Sequence, residues 1–459
     1  MIDFIFPKGY NIHEPTIREI INVYEPYTQQ DCKIVVKVIT DCGNFSLVVQ
    51  LRDIIETSTA KKELIAKKVK AMVYKVLSRH CAFKLAWGSL TGVKPLMLLE
   101  NTSPTNINSH IEKLQKQYMI SDDRCSLMRQ TYEIQQQHIL EDRSKCSLYV
   151  HIPLCLTKCV YCSFPSKITD IGSNLCESYL LALLKELKAT LLHIRGKGLS
   201  IQTIYIGGGT PSILSTKQIE RLLSAIREEI SSLVEFSFEA GRCDTLDREK
   251  LLCLKDNGVT RLSLNPQTFH SATLAKLNRT VGTDEFYKIY SYAKETGFNS
   301  INCDLIYGFE DESIEDNIYS LEKTIALNPE NITIHTLCKK RTSALNKENV
   351  YSQSSNINKA HKLSREILAS NGYDPYYLYK QQYAILGCEN IGYSKKDCEC
   401  IYNIKMMSNA QEIYSVGASS TTKVFDSETG RYKNIYTLKE VGLYISEIDR
   451  IIQKKLSKM

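Results

Sequence analysis

Cys155-Leu156-Thr157-Lys158-Cys159-Val160-Tyr161-Cys162 sets three thiols at C-x3-C-x2-C spacing. Three thiolates can ligate three irons of a 4Fe–4S cube and leave the fourth iron open to a reacting molecule. A structural zinc site needs a fourth ligand, and Cys146 and His151 lie near enough in sequence to keep that alternative open. Gly207-Gly208-Gly209-Thr210-Pro211 would let backbone approach a ligand closely, although a tight strand-to-helix turn uses the same residues. Further along, Glu239, Gln267, Asp304 and Lys339-Lys340-Arg341 each close a β-branched run. Ligands of parallel sheets and barrels sit at the carboxyl ends of strands, so these groups describe one rim around the cysteine loop.

Such a rim needs a scaffold. Six strand patterns at residues 147–152, 203–206, 235–238, 261–264, 301–306 and 332–336 alternate with helical patterns such as 175–194, 216–230 and 286–296. Ser215 and Gln218 form a capping-box pattern, while Gly196 and Gly297 mark helix ends. Strict strand–helix alternation predicts a parallel sheet, either a partial barrel or doubly wound. The preceding part reads as a small α/β domain. It has a hairpin of 32–40 and 45–51 about Asp41-Cys42-Gly43-Asn44, a helix over 61–80, an irregular segment at 87–95, a loop at 101–108 and more helix to about residue 143. Beyond residue 340 the alternation stops. A polar stretch at 346–358 precedes a helix over 361–370, a tyrosine-rich run at 373–383 and a last helix over 439–455. Three domains are expected: 1–143, 144–345 and 346–459.

A chain of 459 residues with 43% apolar and 24% charged residues belongs with globular proteins of two or three domains. It has no apolar run of about 18 residues and no signal-peptide pattern at its start, so a cytoplasmic, membrane-free protein is expected. Sixteen cysteines then read as thiols or metal ligands rather than disulfides. Cys32, Cys42, Cys81, Cys125, Cys176, Cys253 and Cys303 stand singly in apolar surroundings and read as buried hydrophobes. Cys398-x-Cys400 with Cys388 could form an auxiliary metal site, though scattered thiols account for them better. A charge of +7 allows an acidic substrate or a nucleic acid. The chain has no basic stripe with interleaved aromatics, which argues against an RNA-modifying enzyme.

Tyr149-Val150-His151-Ile152-Pro153 ahead of the three cysteines resembles the radical S-adenosylmethionine (SAM) superfamily. Gly207–Pro211, Glu239, Arg261-Leu262-Ser263, Gln267, Leu277-Asn278-Arg279 and Asp304-Leu305-Ile306-Tyr307-Gly308 follow in the order of its oxygen-independent coproporphyrinogen III oxidase (dehydrogenase) branch and the related haem chaperones. Residues 87–95 and Glu389-Asn390-Ile391-Gly392-Tyr393 resemble the Z-type subgroup, which has an added N-terminal domain. The resemblance implies a partial (β/α)6 radical SAM barrel between a small N-terminal α/β domain and a mixed C-terminal domain. It also implies a 4Fe–4S cluster on Cys155, Cys159 and Cys162. Tyr149, Gly208, Glu239 and Thr421 would line the SAM bound there, with Tyr149 counted in the catalytic set. Tyr161, Gly209, Thr210, Gln267, Arg279, Asp304 and Cys338 would hold a second SAM. The implied reaction decarboxylates coproporphyrinogen III propionates to vinyls with a 5′-deoxyadenosyl radical, in porphyrin and haem biosynthesis. It would use a tetrapyrrole substrate and an electron donor such as flavodoxin or ferredoxin. Arg242, Arg279, Lys339, Lys340 and Arg341 would be the partners of the propionates. Two positions depart from the branch: Phe164 stands where its decarboxylating members carry a further cysteine, and Asn265-Pro266 replaces a glycine–valine pair. A haem-binding chaperone without decarboxylase activity is the alternative within the superfamily.

Overall fold

A computed structural model describes residues 2–5, 14–24, 28, 33–41, 44–100, 102–139, 142–228, 230, 233–279, 282–338 and 357–459. Strands β1 (Ile2–Ile5), β2 (Ile34–Asp41), β3 (Asn44–Leu51) and β4 (Ile54–Ala60) form one sheet in that order. The expected hairpin is β2–β3, paired from Ile34↔Leu51 to Asp41↔Asn44; Cys42 and Gly43 of its turn, like Cys32, lie outside the described residues. Helix Ile65–His80 buries Ile65, Val69, Met72, Val73, Val76 and Leu77 in the core it shares with this sheet. That spacing of three and four is what an amphipathic helix needs to seat one face. Two corrections follow downstream. The expected loop at 101–108 already begins a helix at Ile107, and helix does not run on to residue 143 but ends at Gln135.

The large sheet takes β5 (Lys145–Ile152), β8 (Ser200–Gly208), β9 (Glu235–Gly241), β10 (Arg261–Leu264), β11 (Ser300–Tyr307) and β12 (Asn331–Thr336) as parallel neighbours. These are the six expected strands. A short pair, β6 (Leu154–Cys155) and β7 (Lys167–Ile168), stands apart from them. The C-terminal part widens the same sheet at both edges. Strands β13 (Asp374–Lys380) and β14 (Glu389–Ser394) add antiparallel beside β12. On the other side β15 (Glu412–Val416) pairs parallel with β5, followed by β16 (Thr421–Asp426) and β17 (Arg431–Tyr436). The order is β13-β14-β12-β11-β10-β9-β8-β5-β15-β16-β17, and the two edge strands do not pair among the described residues. The architecture is an open, partial barrel.

Helices Asn174–Gly196, Thr216–Arg227, Arg248–Asp256 and Thr283–Thr296 connect the parallel strands and contribute buried residues to one core with them. Ser215 and Gln218 satisfy each other's backbone groups in a true capping box, and Gly297 ends its helix at φ 78°. The helix at 216 stops at Arg227 rather than 230. Gly196 is the last residue of its helix, as expected, and the chain then turns at Gly198, φ 72°. The last helix breaks at Glu447 into Val441–Ser446 and Ile448–Leu456. Among the described residues no helix is long and apolar enough to cross a membrane.

Candidate active site

The cysteine loop begins where β5 ends. Leu154 and Cys155 pair with Lys167 and Ile168, so the two ends of the loop are held together by a two-residue ladder. Cys155 is buried, while Cys159 and Cys162 are half-buried. The Cys162 N–H donates to the Cys159 carbonyl at 3.0 Å, which closes a tight turn between the last two thiols. Outside contacts fix the loop further. Val160 N–H donates to the Leu277 carbonyl at 3.3 Å, and Asn278 Nδ2 to the Lys158 carbonyl at 3.2 Å. Thr210 Oγ1 lies 3.6 Å from Cys155 Sγ, and Arg242 Nη1 lies 3.5 Å from Cys159 Sγ while pairing with Asp244. Burial pushes the Cys155 and Cys162 thiols up from their ordinary range.

A 4Fe–4S cube is held at separate corners; among the described residues no group of three His, Cys, Asp or Glu side chains is placed to hold a single metal ion. Of the two candidate fourth ligands of the zinc alternative, Cys146 is fully buried in the strand core, and His151 directs its Nδ1–H at the Ala418 carbonyl, with Nε2 facing Gly208.

The glycine run at the end of β8 lies against this loop. Gly209 N–H and Thr210 N–H donate to the Ile152 and Leu154 carbonyls, both at 2.8 Å. A Cβ on Gly209 would sit 2.6 Å from the Leu154 carbonyl oxygen and 2.8 Å from Cys155 Sγ. On Gly207 it would fall 2.6 Å from Glu239 Oε2. Gly208 has φ 118°, and a Cβ there would strike the His151 ring at 2.6 Å. Only glycine permits both the backbone angle at 208 and the approach on either side of it.

Glu239 on β9, Asp304 on β11 and Gln267 after β10 meet at this end of the sheet. Pro266 cannot donate to a ladder, and Gln267 resumes it at φ 69°. Its N–H donates to the Asp304 carbonyl, and its own carbonyl accepts from Ile306, both at 2.9 Å. The side-chain Oε1 of Gln267 is buried with no partner among the described residues. Asp304 Oδ1 accepts from Asn302 Nδ2 at 2.8 Å, and Oδ2 lies 3.5 Å from His335 Nε2. Burial, then the charge of Asp304, pushes Glu239 up to about 7. For Asp304 burial acts upward too, but His335 and hydrogen bonds overcome it and hold the carboxyl below its usual value. His335 is raised: burial opposes its charge, and Asp304 outweighs burial. Two carboxyls with opposite preferences therefore share one site.

Other expected residues take varied places. Tyr149 stands opposite Tyr205 in the β5–β8 register and lies 6.0 Å, ring to ring, from Tyr402. The Tyr161 ring is 6.1 Å from that of Phe309. Arg279 is a brace, with guanidinium bonds to the Asn265, Gly241 and Pro266 carbonyls at 2.8, 3.0 and 3.4 Å. Cys338 bridges to Ala384 and its thiol donates to the Thr336 carbonyl. Thr421 opens β16, where its carbonyl accepts from Ser415 Oγ. Lys339, Lys340 and Arg341 lie outside the described residues. Cys400 Sγ contacts Glu235 Oε1 at 3.3 Å and Cys388 Sγ contacts Asn358 Oδ1 at 3.2 Å, in keeping with scattered thiols. Sequence reasoning missed His335, Tyr205, Tyr402 and Tyr379, whose hydroxyl is 3.3 Å from His335 Nδ1. Period-two alternation alone would have put Tyr205 on the face of Gly207 and His335 on that of Thr333.

Residues 149–322 match the family model of the radical SAM superfamily. Over 393 residues the chain is 30% identical to the oxygen-independent coproporphyrinogen-III oxidase-like protein HemZ of Bacillus subtilis (strain 168), covering 83% of this chain and 78% of that one. It is 32% identical over 297 residues to the heme chaperone HemW of Lactococcus lactis subsp. lactis (strain IL1403), covering 63% of this chain and 72% of that one. The coproporphyrinogen III oxidase (HemN) from Escherichia coli, a radical SAM enzyme, shares the fold at a TM-score of 0.55 and 22% identity, over 69% of this chain and 72% of that one.

Proposed function

We infer the function from one premise: this chain belongs to the radical SAM superfamily and, within it, to the family of oxygen-independent coproporphyrinogen III oxidases and their HemZ-like relatives. Members use a 4Fe–4S cluster and SAM. The reading is that this chain decarboxylates propionate side chains of coproporphyrinogen III to vinyl groups, with electrons from a donor such as flavodoxin or ferredoxin. The observation that carries it is the meeting of Glu239, Gln267 and Asp304 beside a glycine turn that abuts Cys155.

The residues fit the cofactors. Cys155, Cys159 and Cys162 would hold the cluster, and the bare face of Gly209 leaves room at Cys155. The buried, unpartnered Gln267 Oε1 awaits a donor, which a SAM ammonium or ribose hydroxyl would provide. Ionised Asp304 would accept from the same ligand class, while Glu239, raised toward neutrality, could donate or accept. The rings of Tyr149 and Tyr205 both stack on that of Tyr402, at 6.0 and 4.8 Å. When bound, cluster and SAM would supply a radical able to take a propionate β-hydrogen; loss of CO2 and transfer of one electron to an external acceptor would then leave the vinyl. Anaerobically reconstituted Asp304→Ala should keep its iron and form no vinyl product. Wild-type vinyl formation in that variant would refute the assigned site.

Phe164 favours a second reading. It is 56% exposed beside the cysteine loop, at the position where decarboxylating members carry a further cysteine. The similarity to HemW points the same way, to a haem chaperone that keeps the cluster.

A further inference from the structure

A separate cavity of about 410 Å³ lies between the N-terminal part and the segment after β13. Its walls include Leu85, Trp87, Leu90, Ile385 and Leu386, an apolar lining of the kind that receives small organic molecules. Arg18, Glu19 and Lys380 are the charged side chains of the lining. Lys380, at the end of β13, is 8% exposed, yet no described carboxylate pairs with its amine. The Nζ donates to the Leu90 carbonyl at 2.8 Å and stands 5.5 Å from the centre of the Trp87 ring. An ammonium has three protons to place, and these contacts use one.

The neighbouring charges do not supply the missing anion. Glu19 is the one carboxylate in the lining, and it accepts from Gln382 Nε2 at 3.3 Å. Glu389 is engaged by Arg124 and by the Trp87 indole. A second amine, Lys70, stands close by with its Nζ 2.6 Å from Thr91 Oγ1. Burial lowers both amines, Lys380 to about 8, against the opposing charges of Glu389 on Lys380 and Glu19 on both. A buried charge without a partner is costly, and a protein that needed only to cap the Leu90 carbonyl could do so with a neutral group.

We propose that this cavity is a binding site for a flat, apolar molecule bearing a carboxylate, its ring against Trp87 and its carboxylate on Lys380. The inference stands apart from the decarboxylation reading, because the cavity shares no side chain with Glu239, Asp304 or the cysteine loop. Tyr379, facing His335, and Lys380 are adjacent on β13, and alternation sends them to opposite faces.

Trp87 is the chain's sole tryptophan, so all of its emission arises beside this cavity, and Lys380→Met tells a probe bound here from one bound elsewhere. The probes are 1-pyrenebutyrate and the neutral 1-pyrenebutanol, which share a ring that accepts tryptophan emission. Titrating the full-length, cluster-loaded protein with pyrenebutyrate should quench Trp87 saturably, at least about tenfold more tightly than with the alcohol. Lys380→Met should remove that preference while leaving cluster content unchanged. Equal affinity for acid and alcohol, or no saturable quenching by either in the wild-type protein, would overturn the proposal without reference to any variant.

Discussion

The indole N–H of Trp87 donates to Glu389 Oε2 at 2.6 Å, joining residues 302 positions apart with both side chains buried. Residues 87–95 and 389–393, far apart in the chain, thus meet at one bond. Arg124 reaches the same carboxylate at 3.0 Å, and Asp123 links Arg124 to Arg365. Burial alone would raise Glu389, but Arg124, His361 and Arg365 hold it at about 2.

Removing this carboxylate leaves Arg124 and Arg365 sharing Asp123 as their one remaining carboxylate among the described residues. Glu389→Gln should therefore cost about 3–5 kcal/mol, and Trp87→Phe, which loses a hydrogen bond to a carboxylate and part of a buried ring, about 2–3. Chemical denaturation of both variants measures the difference. Because the folded Glu389 lies below its ordinary 4.5, its contribution is present above that pH and disappears as pH falls through about 2. Wild-type stability should fall across that window more steeply than that of Glu389→Gln.

Glu239 has the opposite sign. Its folded value near 7 exceeds the unfolded 4.5, so protonation stabilises the fold below 4.5 and that contribution is lost as pH rises toward 7. In cofactor-free protein, Glu239→Gln should flatten the stability profile between those limits. An unchanged slope would show that Glu239 is not protonated there.

Substituting Cys155, Cys159 or Cys162 by alanine should each prevent cluster assembly, read as iron, sulfide and the spin signal after anaerobic reconstitution. The same change at Cys146, Cys388 or Cys400 should leave the iron content normal. Iron retained in any of the first three variants would remove that cysteine from the ligand set.

Gly207→Ala places a methyl 2.6 Å from Glu239 Oε2 and 2.9 Å from the Tyr205 ring. The carboxylate must move, while the cysteine loop need not. SAM affinity should drop by at least about tenfold with iron content preserved. Equilibrium binding of SAM to the reconstituted variant tests this.

Much of this arrangement was legible because it rests on local rules. Six β-branched runs, a capping box at Ser215 and the spacing of three thiols each follow from neighbours within a few residues. What stayed hidden depends on distant pairing. No local pattern says that β15 joins β5 or that β14 joins β12, since edge strands take their place from tertiary packing. Arg279 fits a ligand clamp by residue type, but three backbone carbonyls around Pro266 claim its guanidinium, and only the folded turn reveals them. His335 was passed over as one polar residue in a strand, although alternation turns it toward Asp304.

The most direct test counts CO2 against 5′-deoxyadenosine when anaerobically reconstituted wild-type protein turns over SAM with coproporphyrinogen III labelled in its propionate carboxyls. The account predicts labelled CO2 and vinyl product in step with 5′-deoxyadenosine, about one to one. SAM cleavage with no labelled CO2 would contradict it and assign the chain to the haem-chaperone reading.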